Sequence, residues 1–223
     1  MTDIPNILRQ LAVSALPVLI AITFHEVSHG FVANRLGDPT AKMMGRLTLN
    51  PIAHIDPVGT ILLPLMMIVL TNGQFVFGYA KPVPINPSNF KNPKRDMAIS
   101  AAAGPITNLC LAVLSLLVLK FLVVPASVFS SGDITKAVFI PLTRMLTSSI
   151  IFNVVLAAFN LIPIPPLDGG RVLVGFLPHK QAVSYSRIEP FGFIIVIVLI
   201  YSGVADYFVM PLVRLFLALL QLF

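Results

Sequence analysis

Long apolar segments separated by short polar loops constrain the fold of this chain more than any other feature. Residues 7–34, 98–124 and 137–161 each form such a segment, and residues 191–201 and 204–222 add shorter ones. A membrane-spanning helix needs about 20 mostly apolar residues. Only 11% of the residues are charged, against roughly 25% in soluble domains. The sequence therefore predicts an all-α polytopic membrane protein with roughly 4–6 transmembrane helices plus re-entrant or β-like loop segments.

The stretch between the first two long segments is harder to interpret. Residues 58–70 are strongly apolar but few, so they form either a re-entrant segment or, if continued to residue 77, a full span. Residues 75–85 contain several prolines and few helix formers, which favours extended chain. Because no long polar segment interrupts the sequence, residues 1–223 are interpreted as one integral membrane domain, with its core at 15–177 and without a separate soluble domain.

The distribution of positive charge predicts an orientation in the membrane. If residues 58–70 are re-entrant, ten of the 15 Lys and Arg residues fall on one side of the bilayer. These ten are Arg35, Lys42, Arg46, Lys81, Lys91, Lys94, Arg95, Arg171, Lys180 and Arg187. The positive-inside rule makes that side cytoplasmic. No nucleic-acid partner is expected, because the net charge of +6 contains no long basic run. The N-terminus lacks a basic n-region, so no cleaved signal peptide is expected.

The segment His25-Glu26-Val27-Ser28-His29 ends the first apolar segment. In a helix His25 and His29 lie on one face and can bind the same metal ion, while Glu26 can hold an attacking water. A chance motif or two structural histidines would be the alternative. Ionisable side chains inside a membrane are costly, however, and rarely occur there without a partner or a function.

Two histidines leave a catalytic zinc site one ligand short, since such sites usually have three protein ligands and an open position. Asp168 is the best candidate, because it follows the apolar segment 137–161, whose end lies at the same membrane face as His25 and His29 in the orientation above. Gly104 and Pro105 open another apolar segment at that face. A simple surface turn at Asp168-Gly169-Gly170 is the alternative.

Three motifs together resemble the site-2 protease family of intramembrane zinc metalloproteases. They are His25–His29, the middle motif Gly104-Pro105…Asn108, and the element from Asn160 through Leu167-Asp168-Gly169-Gly170. The resemblance covers about residues 15–177, which would make this region an integral membrane protease domain. Many members carry a PDZ domain after the middle motif. Residues 109–159 leave no room for one, so the chain resembles a compact branch without it.

The resemblance implies one zinc ion per chain, bound by His25, His29 and Asp168, with Glu26 as the catalytic base. Zinc would lower the pKa of its bound water, and Glu26 would take the proton. Since a helix hides its backbone, a transmembrane substrate must become extended before cleavage. Residues 75–85 could hold it by strand addition, although a membrane-surface loop is the simpler alternative.

Three further polar residues are weaker candidates for substrate binding. Asn160 and Asn108 could hydrogen-bond the substrate backbone or an oxyanion, or could join helices. His54, in a turn-rich stretch, could act near the metal as a supporting group or gate, or could be structural.

The predicted function is therefore an intramembrane zinc endopeptidase that cleaves transmembrane protein or peptide substrates, in regulated intramembrane proteolysis or in clearance of signal-peptide remnants. A catalytically inactive protein that binds partner helices, or a metal transporter, is the alternative. A structural zinc site has no need of Glu26, and a transporter would typically show inverted repeats. We expect a multi-pass protein of a prokaryotic cytoplasmic membrane, embedded in the lipid bilayer, with its active site toward the cytoplasm. No oligomeric state is predicted.

Overall fold

A computed structural model describes residues 4–70 and 78–221. The α-helices are α1 (Ile4–Leu36), α2 (Thr40–Met43), α3 (Leu63–Leu70), α4 (Pro93–Val118), α5 (Val124–Val128), α6 (Gly132–Ile134), α7 (Ile140–Asn160), α8 (Asp168–Phe176), α9 (His179–Ser186), α10 (Glu189–Tyr201) and α11 (Val204–Gln221). Short 3-10 turns lie at Pro51–His54 and Pro87–Asn89, and π-helical turns at Pro57–Leu62, Leu119–Val123 and Thr135–Phe139. Within the described residues there is no strand, which confirms the all-α prediction.

Three helical stretches of the described chain are long and apolar enough to cross a membrane. They are Ala15–Leu36, Pro93–Val128 and Gly132–Asn160, where the π-helical turns join neighbouring helices into continuous spans. A fourth is possible if α9 and α10, which meet at a bend of 47°, count as one span. The count therefore lies at or below the lower end of the range expected from sequence, because residues 191–201 form only a 13-residue helix.

Helices α1, α4 and α7 pack against one another, and α11 lies against α7. Their buried core is built from small and branched side chains that let the helices approach closely. It contains Ala112, Leu119, Val123, Ile150, Val154 and Phe216. Large apolar side chains such as Leu117, Phe121 and Leu122 are exposed on the outside. In lipid this arrangement costs nothing, because the surrounding hydrocarbon is as apolar as the side chains.

The apolar helix Pro57–Leu70 is too short to cross a bilayer by itself, since it extends only about 20 Å. Beyond this helix the chain returns to the residues at the start of the helix. The N–H of Tyr79 donates to the carbonyl of Gly59, and the N–H of Lys81 donates to that of His54, each at 3.0 Å. The chain thus enters and leaves at the same end of α3, as the re-entrant alternative requires. Residues 71–77 lie outside the described part of the chain.

Candidate metal centre

The two histidines of the HExxH segment lie side by side on α1, on the face that packs against α4. Their Nε2 atoms are 3.1 Å apart, and the rings meet edge to face, with centroids 4.6 Å apart. Both side chains are buried. The helical spacing of four residues thus brings two potential metal-ligating nitrogens to one point.

Asp168 reaches the same point from the other end of the chain. It is the first residue of α8, and its Oδ2 lies 3.2 Å from Nε2 of His25 and 3.3 Å from Nε2 of His29. A tight turn after α7 makes this position accessible. A Cβ at Gly169 would lie 2.5 Å from the carbonyl oxygen of Ile162, so glycine is needed for α8 to begin so close to the end of α7.

The three atoms fit a zinc ion. Corners of a tetrahedron around zinc, at ligand distances of about 2.0–2.1 Å, are about 3.3 Å apart, and the observed separations are 3.1, 3.2 and 3.3 Å. In addition, Oδ2 of Asp168 is buried without a hydrogen-bond partner. A buried carboxylate oxygen without one is costly, and a cation bound at this point would remove that cost.

Both histidines have their second ring nitrogen held by α4. Nδ1 of His29 lies 2.8 Å from the carbonyl oxygen of Ser100, and Nδ1 of His25 lies 2.5 Å from Oδ1 of Asn108. Both partners are oxygen acceptors, so each Nδ1 carries the proton. The Nε2 atoms are therefore left with lone pairs directed at Asp168, which is the tautomer that a metal ligand requires.

The absence of a side chain at Gly104 of α4 leaves the space that the two imidazole rings occupy. A Cβ at this position would lie 2.6 Å from Cε1 of His25 and 2.6 Å from Cε1 of His29. The segment from Gly104 to Asn108 thus supplies both the space for the rings and one of their hydrogen-bond acceptors.

Burial by itself would raise the pKa of the Asp168 carboxyl. Protons on Nε2 of His25 and His29, which a bound metal ion would replace, oppose this effect by hydrogen bonding and by charge and would hold the pKa well below its usual value. Asp168 is therefore an anion at neutral pH, as a metal ligand must be.

Glu26 lies beside this cluster and contacts the segment that follows α3. Its Oε2 accepts a hydrogen bond from the backbone N–H of Val83 at 2.8 Å. The same segment passes over Gly30, where a Cβ would lie 2.6 Å from Cγ1 of Val83. Residues 78–86 form neither helix nor strand, in keeping with their prolines, and residues 75–77 lie outside the described chain.

The far end of this segment is tied to α1 through Asp38, which is completely buried. The Asp38 carboxylate accepts bonds from the N–H of Asn86 and from Nδ2 of Asn89, each at 2.7 Å, and from Thr40. Burial by itself would raise the pKa of Asp38, but these hydrogen bonds, with that of Asn89 the strongest, lower it below the ordinary value.

The weaker candidates occupy different surroundings. Asn160 ends α7, half-buried, and its Nδ2 donates to the carbonyl of Leu156 at 2.9 Å. His54 is buried in the turn Pro51–His54, where its Nε2 lies 2.9 Å from the carbonyl of Thr48 and its Nδ1 has no partner. Neither residue belongs to the cluster of three potential ligands found in the described chain.

Asn108 is fully buried, and its polar atoms contact protein groups only: His25, the carbonyl of Ala21 and the side chain of Asn153. These contacts favour a positioning role over direct contact with a substrate. Sequence reasoning missed Asn153. The available signal was an amide side chain in the middle of an apolar segment, where polar groups need partners.

Comparison with known proteins agrees with this geometry. The model of peptidase family M50 matches residues 123–202. The chain is 36% identical to a Bacillus subtilis protein named "Putative zinc metalloprotease YwhC", over 88% of this chain and 84% of that protein. It is 31% identical to "Putative zinc metalloprotease Rip2" of Mycolicibacterium smegmatis, over 82% of this chain and 64% of that protein. No solved structure matches.

The interval between the middle motif and the Asp168 element contains the helices from α4 to α7, and no PDZ domain is found there. The identity to YwhC extends over most of both chains. The chain therefore belongs to peptidase family M50, the site-2 protease family of metalloendopeptidases.

Proposed function

We propose that the protein is an intramembrane endopeptidase whose single zinc ion is held by His25, His29 and Asp168, with Glu26 as general base. The observation that supports this most strongly is the buried triangle of two imidazole nitrogens and one carboxylate oxygen. It lies among helices long and apolar enough to span a membrane. Residues 15–177 would form the protease core.

A bound zinc ion would supply Lewis-acid polarisation of the scissile carbonyl and a lowered pKa for a coordinated water. The chain's own residues do the rest. Glu26 accepts a proton from the attacking water and later delivers it to the leaving nitrogen. The N–H of Val83 fixes one carboxylate oxygen of Glu26, which leaves the other oxygen for proton transfer. His25, His29 and Asp168 hold the metal ion. The hydrogen bonds of the two histidines to α4 fix the orientation of their rings.

The proposed substrates are transmembrane segments that have become locally extended. Residues 79–85 would lie alongside them, since this segment forms no helix and contacts Glu26 at Val83. The N–H groups of Tyr79, Lys81 and Val83 already donate to protein oxygens, and Pro82 and Pro84 have none. The carbonyl oxygens of Tyr79, Lys81 and Pro82 also accept hydrogen bonds, from Thr60 and Arg46. Strand addition to this segment would therefore require some of these internal hydrogen bonds to be replaced by bonds to the substrate.

Asn160 is proposed as a further substrate contact, because it lies half-buried at the end of the helix that leads to Asp168. The enzyme is proposed to lie in a prokaryotic cytoplasmic membrane, with its site toward the cytoplasm. The support for this orientation is the pairing of Tyr79 and Lys81 with Gly59 and His54, at the start of the short apolar helix Pro57–Leu70. If that helix does not cross the bilayer, ten of the 15 basic residues share one side.

The metal content of the detergent-purified protein tests the proposed site. Wild type and Glu26→Gln should each hold about one zinc ion, while Asp168→Ala should lose most of it. Asp133→Ala removes an exposed carboxylate from the short helix α6 and should keep its zinc, which makes it the matched control. Full zinc retention in Asp168→Ala would show that the third ligand lies elsewhere.

A second measurement separates the enzyme from the alternatives. In liposomes, wild type should cleave a single-span reporter protein and Glu26→Gln should not. A protein that only binds partner helices would retain the reporter without cleavage, and a transporter would instead move zinc across the liposome membrane. Either of these results would refute the endopeptidase.

A further inference from the structure

A chain of buried amides connects the middle of α7 to the metal cluster. Oδ1 of Asn153 accepts from Nδ2 of Asn108 at 2.8 Å, and Oδ1 of Asn108 lies 2.5 Å from Nδ1 of His25. Both asparagines are completely buried. We propose that Asn153 is a positioning residue for the metal site, acting through Asn108 on the tautomer of His25. This inference rests on the proposed function.

The direction of this chain is set at both asparagines by main-chain carbonyls, which can only accept. Nδ2 of Asn153 donates to the carbonyl of Ser149 at 2.8 Å, so its Oδ1 faces Asn108. Nδ2 of Asn108 donates both to that oxygen and to the carbonyl of Ala21, at 3.2 Å. Its Oδ1 must then face His25, whose Nδ1 must donate.

Without these partners, the side-chain amide of Asn108 could rotate by half a turn and exchange the positions of Oδ1 and Nδ2. In the turned state its NH₂ group would face Nδ1 of His25, and the imidazole would carry its proton on Nε2. A protonated Nε2 has no lone pair and cannot bind a metal ion. Asn153 opposes this state, because two oxygens would then face each other across the contact between the two asparagines.

His25 depends on this support more than His29 does. The acceptor at Nδ1 of His29 is the main-chain carbonyl of Ser100, which has no second orientation. The acceptor at His25 is a side-chain amide with two orientations of nearly equal shape. The orientation of this amide therefore has to be selected at His25 alone, and Asn153, with the shorter bond to Nδ2 of Asn108, does so together with the carbonyl of Ala21.

The rival explanation is that Asn153 merely joins two helices within the membrane, as polar residues often do. The chain contains a matched control for that role. Oγ of Ser115 on α4 lies 2.9 Å from Oγ of Ser149 on α7, so Ser115→Ala removes a hydrogen bond between the same two helices. Oγ of Ser149 also accepts from Nδ2 of Asn153 at 3.2 Å, but the carbonyl of Ser149 still orients that amide when Ser115 is replaced by alanine.

The experiment measures zinc affinity by chelator competition on the full-length, detergent-purified chain. Loss of an outer-shell partner typically weakens metal binding by about 10–100-fold. We expect Asn153→Ala to lower zinc affinity about tenfold and Ser115→Ala to change it less than about twofold. Asn153→Asp should bind nearly as tightly as wild type, because a protonated carboxyl can donate to Ser149 and accept from Asn108. Equal affinity in Asn153→Ala and wild type would overturn the inference.

A spectroscopic readout needs no variant. ¹⁵N NMR of histidine-labelled, zinc-free wild type, at a pH well above the ordinary imidazole pKa, reports which ring nitrogen carries the proton. We expect a proton on Nδ1 of both His25 and His29, whatever the state of Nε2 beside Asp168, and a partial loss of the Nδ1 proton at His25 alone in Asn153→Ala. An unprotonated Nδ1 at His25 in wild type would overturn the inference even if Asn153→Ala fails to fold. Absence of zinc binding in wild type would instead refute the proposed function.

Discussion

Gly104→Ala should abolish metal binding while leaving most of the fold intact. The added Cβ would lie 2.6 Å from Cε1 of His25 and from Cε1 of His29, whereas ordinary contact begins at 3.4 Å. The rings, or the helices that carry them, must move apart by about 0.8 Å. Zinc–nitrogen distances tolerate only about 0.2 Å. The displacement therefore exceeds what the site can absorb, and the overpacking itself should cost about 1–3 kcal/mol of stability.

The assay is zinc affinity together with thermal unfolding of the purified protein, for Gly104→Ala beside Gly132→Ala. Gly132 has open space where its Cβ would lie, so the same substitution there should leave zinc affinity unchanged. We expect Gly104→Ala to weaken zinc binding by at least 100-fold, with only a moderate loss of thermal stability in the zinc-free protein. Zinc affinity within twofold of wild type would refute the geometry described for α4 and the two imidazoles.

Two further perturbations test the segment that follows α3. Asp38→Ala should destabilise the protein by about 1–3 kcal/mol, because it removes a buried carboxylate that accepts hydrogen bonds from Asn86, Asn89 and Thr40. Folding lowers the pKa of Asp38. Its contribution to the free energy of unfolding is therefore complete above about pH 4 and is lost as the pH falls through the folded-state pKa. Free energies of unfolding measured across that range should be equal for wild type and variant only at low pH. Val83→Pro removes the N–H that binds Glu26 and should reduce reporter cleavage about tenfold or more at unchanged zinc content, while Val83→Ala keeps the N–H and most of the activity. Equal cleavage rates in these two variants would exclude a role for the hydrogen bond.

Local patterns in the sequence predict the elements that depend on neighbours along the chain. The spacing of His25 and His29 follows from helical periodicity alone, and the all-α membrane fold follows from the length of the apolar segments. The number of spans depends on how the bent pair α9 and α10 is counted, because hydrophobicity alone does not distinguish a full crossing from a shorter apolar helix such as Pro57–Leu70. The prolines of residues 81–85 argued against a helix, and the structure has none there.

Contacts between distant segments could not be predicted in this way. The bond from Val83 to Glu26 and that from Asn108 to Asn153 depend on how α1, α4 and α7 cross. Helix crossing is determined by side-chain packing over the whole bundle, and one sequence carries no periodic signal for it. The sequence left Asn108 open between substrate contact and a link between helices, because its partners are 83 and 45 positions away along the chain.

The division of the metal cluster between α1 and the start of α8 has a consequence for biosynthesis. His25 and Asp168 are 143 positions apart. The metal cluster therefore cannot form until about three quarters of the chain has been translated, although α1 is made first. Contacts with large sequence separation form late, because a long loop has to close before they are gained. A ribosome-bound fragment that ends before Asp168 therefore lacks part of the site. If the proposed site is correct, the nascent chain would therefore be inactive toward membrane proteins inserted beside it until Asp168 has been synthesised.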